Sequence, residues 1–424
     1  MHIAVVDTNP AGLALLERAR RLGHRVTFVE SPTPLYVGTT AQQAIIAGVD
    51  RHVPGVITTN AEAVTATLRD VHMADPIDAV VTTHEIVTEA VAEASEVLSL
   101  RATSAEGVAI ARHKHRTRAR LDERGLGNVS GFTVVETVAE AVVAADAIGY
   151  PCVLKPPSGG DSILAFTVGD AVEATAAARS ILEDVDAVPE GWNRQFNRGI
   201  LVEEYLIGTM VSVELGVRDG KAYPFSITGR HRWEGNEVVE LGSFIPAALS
   251  DEARASAVQY AINACEAIGL DLGLFHLEIM MTERGPVLVE ANPRVMGGAL
   301  PTIYEHATGL NIYDGLLQIL DPEANVTIPT GFPRTVSGRK IMPLEGGRIL
   351  PGATLDSVAS KHGVLEVDGF ESYGVGPGGE VRQGAVIARF MVSGQDYSDA
   401  VANAERVLVG IEEEIGLTIR YGEK

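Results

Sequence analysis

Glu278, Glu290, Asn292 and Arg294 lie within one run, Leu274 to Arg294, whose residue types suit magnesium and phosphate chemistry. The first half of that run alternates around an apolar strand, Gly285-Pro286 supplies a turn, and Val287 to Glu290 reads as the returning strand. A hairpin of that shape sets Glu278 beside Glu290, and Asn292 points the same way as Glu290 if the chain stays extended. Two carboxylates and an amide oxygen are hard ligands of the kind Mg²⁺ prefers when nucleotide phosphates complete its octahedron. Arg294 can fork onto a phosphate or a carboxylate. The competing reading is a surface hairpin whose acids face water. It accounts poorly for acids set inside apolar strands beside Asn-Pro-Arg.

Other candidates are weaker one by one. Lys155 ends the apolar strand Pro151 to Lys155, where a charge must find a partner or water. The loop behind it, Ser158-Gly159-Gly160-Asp161-Ser162, exposes backbone N–H groups that suit a polyphosphate, although Pro-Ser-Gly-Gly is also an ordinary turn. Lys114 sits in a basic cluster at a helix start, which reads equally as a solvated face. Glu203-Glu204-Tyr205-Leu206 ends a strand and offers backbone groups beside an acid, an adenine seat or simply acids at a strand end. Arg230 follows a strand opposite the hairpin and can grip a substrate carboxylate or phosphate. Gly297-Gly298 lets the chain approach a small ligand closely. His276 shares the face of Glu278, where it orients a metal ligand, acts as a base, or is a hydrogen-bonded structural histidine.

These groups need elements to hold them. Over the first hundred residues strands at 2–7, 25–30 and 77–83 alternate with helices at 11–22 and 85–97, which implies a parallel sheet with helices on its faces. No G-x-G-x-x-G follows the first strand, so a dinucleotide-binding oxidoreductase is disfavoured. Helices follow at 113–124 and 138–148, strands at 131–135, 151–155, 200–205, 211–217 and 222–228, then a long helix at 251–268. One more helix is expected over 302–320. The part beyond 334 is Gly-rich and strand-like, and closes in a helix over 398–415.

With 424 residues the chain is long enough for two to four packed subdomains, and 46% hydrophobic with 21% charged residues fits a globular protein. A net charge of −22 argues against nucleic-acid or anionic-membrane partners. Cys152 and Cys265 show no metal-ligand spacing and read as buried free thiols. With no leader pattern or membrane-length apolar run, a cytoplasmic location is the expectation.

Taken together, the basic helix start, strand-Lys-glycine loop, Glu-Glu-Tyr-Leu-Ile-Gly hinge and Glu…Glu-x-Asn-Pro-Arg hairpin resemble the ATP-grasp superfamily over roughly 102–320. The text around His276, Glu278 and Asn292 to Gly298 looks most like the L-amino-acid ligases that make dipeptides. The resemblance implies an N-terminal α/β parallel-sheet lobe (1–101) and a central ATP-grasp fold of two α+β subdomains. The first (102–190) would carry a lid, the second (191–330) the metal site, and a small β-rich lobe (331–424) would follow. It also implies that Lys114 and Lys155 contact ATP phosphates under a lid containing Ser158, Gly159 and Gly160. Glu203, Glu204 and Leu206 would hold adenine. Glu278, Glu290 and Asn292 would ligate one or two Mg²⁺, with Mn²⁺ as the alternative, and Arg294 would hold the phosphorylated intermediate. The chain departs from that pattern at Gly208-Thr209-Met210, where relatives carry a ribose-binding acid, leaving Glu214 as the candidate, and at Asp161 in the lid.

The implied activity is an ADP-forming ligase that joins a carboxylate to an amine, both amino acids, through an acyl phosphate. Such transfer is mostly positioning and charge neutralisation, which matches a chain rich in candidate cations and acids without a Ser/His/Asp or Cys/His set. The alternatives are a biotin carboxylase-like or formate-using enzyme and a non-catalytic nucleotide-binding protein. A homodimer is expected only as the commonest soluble assembly.

Overall fold

The computed structural model describes residues 1–36, 38–127, 131–159, 163–184, 199–233 and 236–420, without the side chains of 236–238. The N-terminal sheet is parallel, in the order Arg51–Val53, Arg25–Val29, His2–Val6, Ala79–Val81. Its central strand is buried along its whole length, as expected where helices cover both faces. The helix Leu13–Arg21 buries Leu13, Leu15, Leu16 and Ala19. The carboxyl ends of the strands deliver two short turns, 7–12 and 82–85, to the centre of the molecule. Asn9 ties them together, its amide donating to the Thr83 carbonyl at 2.8 Å and its oxygen accepting from Gly12 N at 2.8 Å. A Cβ on Gly12 would sit 1.9 Å from the Thr83 hydroxyl, so only glycine allows this approach.

A second, antiparallel sheet runs Phe132–Val135, Ile200–Glu204, Cys152–Lys155, Phe166–Val168. Two helices cover it: Val138–Ile148, started by a capping box between Thr137 and Glu140, and Ala171–Asp184. Small residues on those helices (Ala141, Ala145, Ala178) let them close on Leu154 and Val202.

The third sheet has eight strands, in the order Gly285–Asn292, Gly273–Thr282, Thr209–Arg218, Lys221–Trp233, Asn236–Ile245, Thr335–Ile341, Ala388–Gly394, Glu366–Asp368. Alternation sorts its side chains. Val211, Val213, Leu215, Leu277 and Ile279 pack on the helix Asp251–Ile268, which Ser250 caps and Gly269 ends at φ +90. Each such aliphatic side chain contributes roughly 1.5–3 kcal/mol on burial. The opposite face carries Ser212, Glu214, Arg230, His276 and Glu278, which register brings into neighbouring positions.

Two expectations change. The single helix over 302–320 is two helices, Leu300–Thr308 and Ile312–Leu320. Gly309 ends the first in the left-handed region (φ +75), and the Asn311 side chain caps the second. The division expected near residue 330 falls inside one continuous sheet, because three strands beyond it extend the sheet that bears the hairpin. The helix Tyr397–Ile415 packs on this extension through Val407, Leu408 and Ile411. Cys152 and Cys265 are buried and unbridged. No helix of the described residues is long and apolar enough to cross a membrane.

Candidate active site

The hairpin forms, but its turn is Glu283-Arg284, and Gly285 and Pro286, expected as the turn, already pair with Thr282 and Met281 in the returning strand. Glu278 is the register partner of Glu290, and His276 of Asn292. A bulge separates Glu278 from Ile279 in this pairing, and within it the Val289 carbonyl accepts from Arg118 Nη2 at 2.8 Å. Two like charges directly opposite each other disfavour the pair unless cations intervene. Each acid has its own. Lys114 Nζ lies 2.7 Å from Glu290, while Arg230 Nη2 donates to Glu278 at 3.1 Å with His276 Nε2 at 3.5 Å. Among the described residues no three His, Cys, Asp or Glu side chains converge as a metal-binding group. The donor set here is two carboxylates plus the buried Asn292, which suits a magnesium ion whose remaining oxygens come from phosphates.

His276 is buried between two acids. Its Nδ1 hydrogen-bonds the fully buried Glu214. Burial pushes its pKa down, but Glu214 and Glu278 outweigh that and carry it up to about 9. The two acids thus favour the charged ring, whose Nε2 lies 3.5 Å from Glu278 and 3.4 Å from Arg230 Nη2. Burial pushes the Glu278 carboxyl up, yet His276 and Arg230 hold it at about 2. Glu214, expected beside the ribose, is fully buried and directed at His276. Its place two residues along the strand from Ser212 puts it under the ring. Arg230 also reaches Ser212 at 2.8 Å and Glu240 at 3.2 Å, so it braces the wall as well as facing the cavity.

Arg294 Nη2 donates to Glu85 at 2.5 Å, and Arg112 engages the other oxygen of the same carboxylate. Burial opposes ionisation of Glu85, but the two guanidiniums hold it well below the usual carboxylate range. Glu85 follows the last strand of the parallel sheet, the end at which such sheets present ligand groups. That rule is the one signal that would have found it. Arg118, remote in sequence from its partners, offered none.

On the hinge side Lys155 and Glu203 form a buried ion pair, with Arg118 Nη2 3.3 Å from the second oxygen of Glu203. That oxygen and Arg118 Nε and Nη1 are buried without a hydrogen bond, so Glu203 retains an unused acceptor. Burial raises the Glu203 carboxyl, but Lys155 and Arg118 outweigh it and keep it charged. Burial, with Arg118 and Lys114 nearby, pulls the Lys155 pKa down. Lys114 donates to the Gly159 carbonyl at 2.9 Å, tying the buried Ser158 and Gly159 (φ +113) to the hairpin acid Glu290. Gly160 lies outside the described residues. Glu204 is paired with Arg284 at 2.7 Å at the rim, and Leu206 follows it, half-buried.

Glu278, Glu290, Asn292, Arg294, Gly297 and Gly298 all line one cavity of about 1190 Å³, and Arg230 and His276 join them. Asn9 and Glu85 reach it from the parallel sheet, and Glu240, Lys340 and Arg389 from the far strands of the large sheet. Lys155 and Glu203 do not line it; they sit across the Lys114–Glu290 contact.

The chain matches the model of the ATP-grasp N-terminal domain over 16–100 and that of the ATP-grasp domain over 148–303. It is 25% identical to alanine–anticapsin ligase of Bacillus amyloliquefaciens over 376 residues, 81% of this chain and 78% of that one. It is likewise 25% identical to dapdiamide A synthase of Enterobacter agglomerans, over 76% of this chain and 73% of that one. The crystal structure of an L-amino acid ligase from Bacillus licheniformis superposes with a TM-score of 0.79 and 23% identity, covering 100% of this chain and 99% of that one. The parallel-sheet lobe, the two matched domains and the hairpin of paired acids agree with one another, and the chain belongs to the ATP-grasp superfamily.

Proposed function

We propose that this protein is an ATP-dependent ligase that joins the carboxylate of one amino acid to the amine of another, releasing ADP and phosphate. The observation that carries this reading is the register pairing of Glu278 with Glu290, beside Asn292 and Arg294, in a single cavity. A carboxylate oxygen cannot leave when an amine attacks. Attack of that oxygen on the γ-phosphorus of ATP forms an acyl phosphate and frees ADP. The amine then adds to the carbonyl carbon, loses a proton, and phosphate departs with the bond to carbon broken.

Glu278, Glu290 and Asn292 would hold Mg²⁺, which neutralises charge on the β- and γ-phosphates when bound. Lys114 and Lys155 face the phosphates, Glu203 with its free acceptor receives the adenine amino group, and the main chain at 204–206 reads the base edge. Arg294, set rigidly by Glu85, stabilises the charge of the phosphorylated intermediate. The buried Ser158 and Gly159 would help exclude water that hydrolyses it. Amino-acid substrates are supported by the names of two similar proteins, alanine–anticapsin ligase and the L-amino acid ligase of Bacillus licheniformis.

A screen of ADP release over amino acids, singly and in pairs, with mass analysis of the products, tests this. A dehydrated adduct of the two acids formed with one ADP per bond supports the reading. ADP release that depends on bicarbonate or formate instead, or nucleotide binding with no acid-dependent ADP release, contradicts it.

A further inference from the structure

We infer that Arg389 is the anchor for the unreacted carboxylate of the amine-side substrate, which makes that substrate an α-amino acid rather than a simple amine. The inference rests on the ligase reading. Among the described residues six Arg and Lys side chains line the cavity, of which Arg339 is only 2% exposed and so out of a ligand's reach. Arg230 is engaged by Glu278 and Glu240, Arg294 by Glu85, and Lys340 by Glu240 at 3.1 Å. Arg389 has no such carboxylate among the described residues. Its Nε is buried without a hydrogen bond, and its guanidinium rests over the Tyr373 ring at 5.7 Å.

The acids nearest to it are turned elsewhere. Asp368, its register partner, accepts from the Tyr373 hydroxyl at 2.8 Å, and Glu366 lies 3.6 Å from His306. A half-buried guanidinium with hydrogen-bonding capacity left over, aimed into a cavity, fits an anionic ligand group.

The position of Arg389 relative to the reaction centre gives the ligand its class. The turn Gly297-Gly298 separates the two guanidiniums. A Cβ on Gly297 would sit 3.7 Å from Arg294 Nη1, and one on Gly298 would sit 4.0 Å from Arg389 Nη1. A small molecule laid along this turn touches Arg294 at one end and Arg389 at the other. An α-amino acid, with its amine one carbon from its carboxylate, meets that demand when the amine faces the acyl phosphate. Arg420 also borders the cavity, but it lies over the Trp233 ring at 4.6 Å and against Gly384, away from the turn.

The test is calorimetric titration of the twenty L-amino acids and their carboxamides, with Mg²⁺ and a non-hydrolysable ATP analogue, into the wild type, R389Q, R389K and R420Q. The expected result is an amino acid that binds about tenfold or more tighter than its amide, a preference lost in R389Q, partly restored in R389K and kept in R420Q. In turnover, R389Q raises KM for the amine-side substrate and leaves KM for the acid-side substrate and for ATP unchanged. Amide bound as well as acid by the wild type, no carboxylate-dependent binding at all, or an unchanged KM in R389Q would each overturn the inference. Inorganic phosphate displacing the amino acid from the wild type but not from R389Q would reassign Arg389 to phosphate and overturn it too. A wild type that binds amino acids through Arg389 yet releases no ADP with any pair would sink the ligase reading alone.

Discussion

Two charge clusters flank Glu290, and they are balanced differently. On the hinge side, the acids that Lys114, Arg118 and Lys155 face among the described residues are Glu203 and Glu290, and buried donors are left over on Arg118. On the sheet side, Arg230, protonated His276 and Lys340 are matched by Glu214, Glu278 and Glu240. A cation surplus in a buried place suits a polyanion that arrives and leaves. A balanced network of short contacts instead fixes side chains in one orientation. Under the proposed function, that difference suits the hinge side to phosphate and the sheet side to holding the metal ligands still.

The comparison breaks most plainly at the residue both clusters share. Glu290→Gln is expected to lower ADP release on the order of 10²-fold or more while circular dichroism stays that of the wild type, because it removes charge stabilisation at the transferring phosphoryl group. Undiminished turnover would detach the hairpin from catalysis. Lys155→Met leaves Glu203 buried with the misaligned Arg118 and the more distant Lys114 as counter-charges. Denaturant unfolding should show a loss of about 3 kcal/mol, with ATP binding weakened as well. An unchanged midpoint would show that Arg118 and Lys114 neutralise the acid without it.

The sheet side is sharpened by pH. His276 is raised to about 9 in the folded protein, against an unfolded value of about 6.5. Its contribution is therefore fully present below about pH 6.5 and is lost as pH rises through the folded value. Stability should fall between these limits by on the order of 2 kcal/mol, and His276→Gln should flatten that limb. Glu278 titrates in the opposite sense: its contribution is lost only as pH falls toward about 2. The smallest effect is expected at the rim. Arg284 is 47% exposed where it meets Glu204, so Arg284→Ala should change stability by about 0.5 kcal/mol or less. It should also leave ATP affinity in place, because under the proposed function the base edge is read by the main chain of the hinge.

What could be read in the sequence was local. The period of two showed that the run folds back on itself, but the turn is Glu283-Arg284 rather than Gly285-Pro286, and the bulge after Glu278 completes its register with Glu290. The helices Val138–Ile148 and Asp251–Ile268 end where caps and glycines end them. What failed was of two kinds. The apolar period runs on through Gly309, so two helices read as one, and the polar strand Asn236–Ile245 has no alternation strong enough to mark it. The helices Thr40–Ala47 and Ala61–Ala74 also escaped notice, although Thr39 and Asn60 cap them. Tertiary pairing was invisible for a different reason. Glu85 and Arg294 stand 209 residues apart, and only packing of the parallel sheet against the hairpin joins them. The burial of Glu214 beneath His276 likewise depends on a neighbouring strand that spacing cannot reveal.

The acyl phosphate itself is the most direct point of test. The acid-side amino acid is labelled with ¹⁸O in its carboxylate, turned over with ATP and its amine partner, and the released phosphate is analysed by mass. One labelled oxygen per phosphate is the predicted result, because the oxygen that attacks ATP leaves with the phosphoryl group. Phosphate free of label, with both oxygens accounted for outside it, would contradict the mechanism.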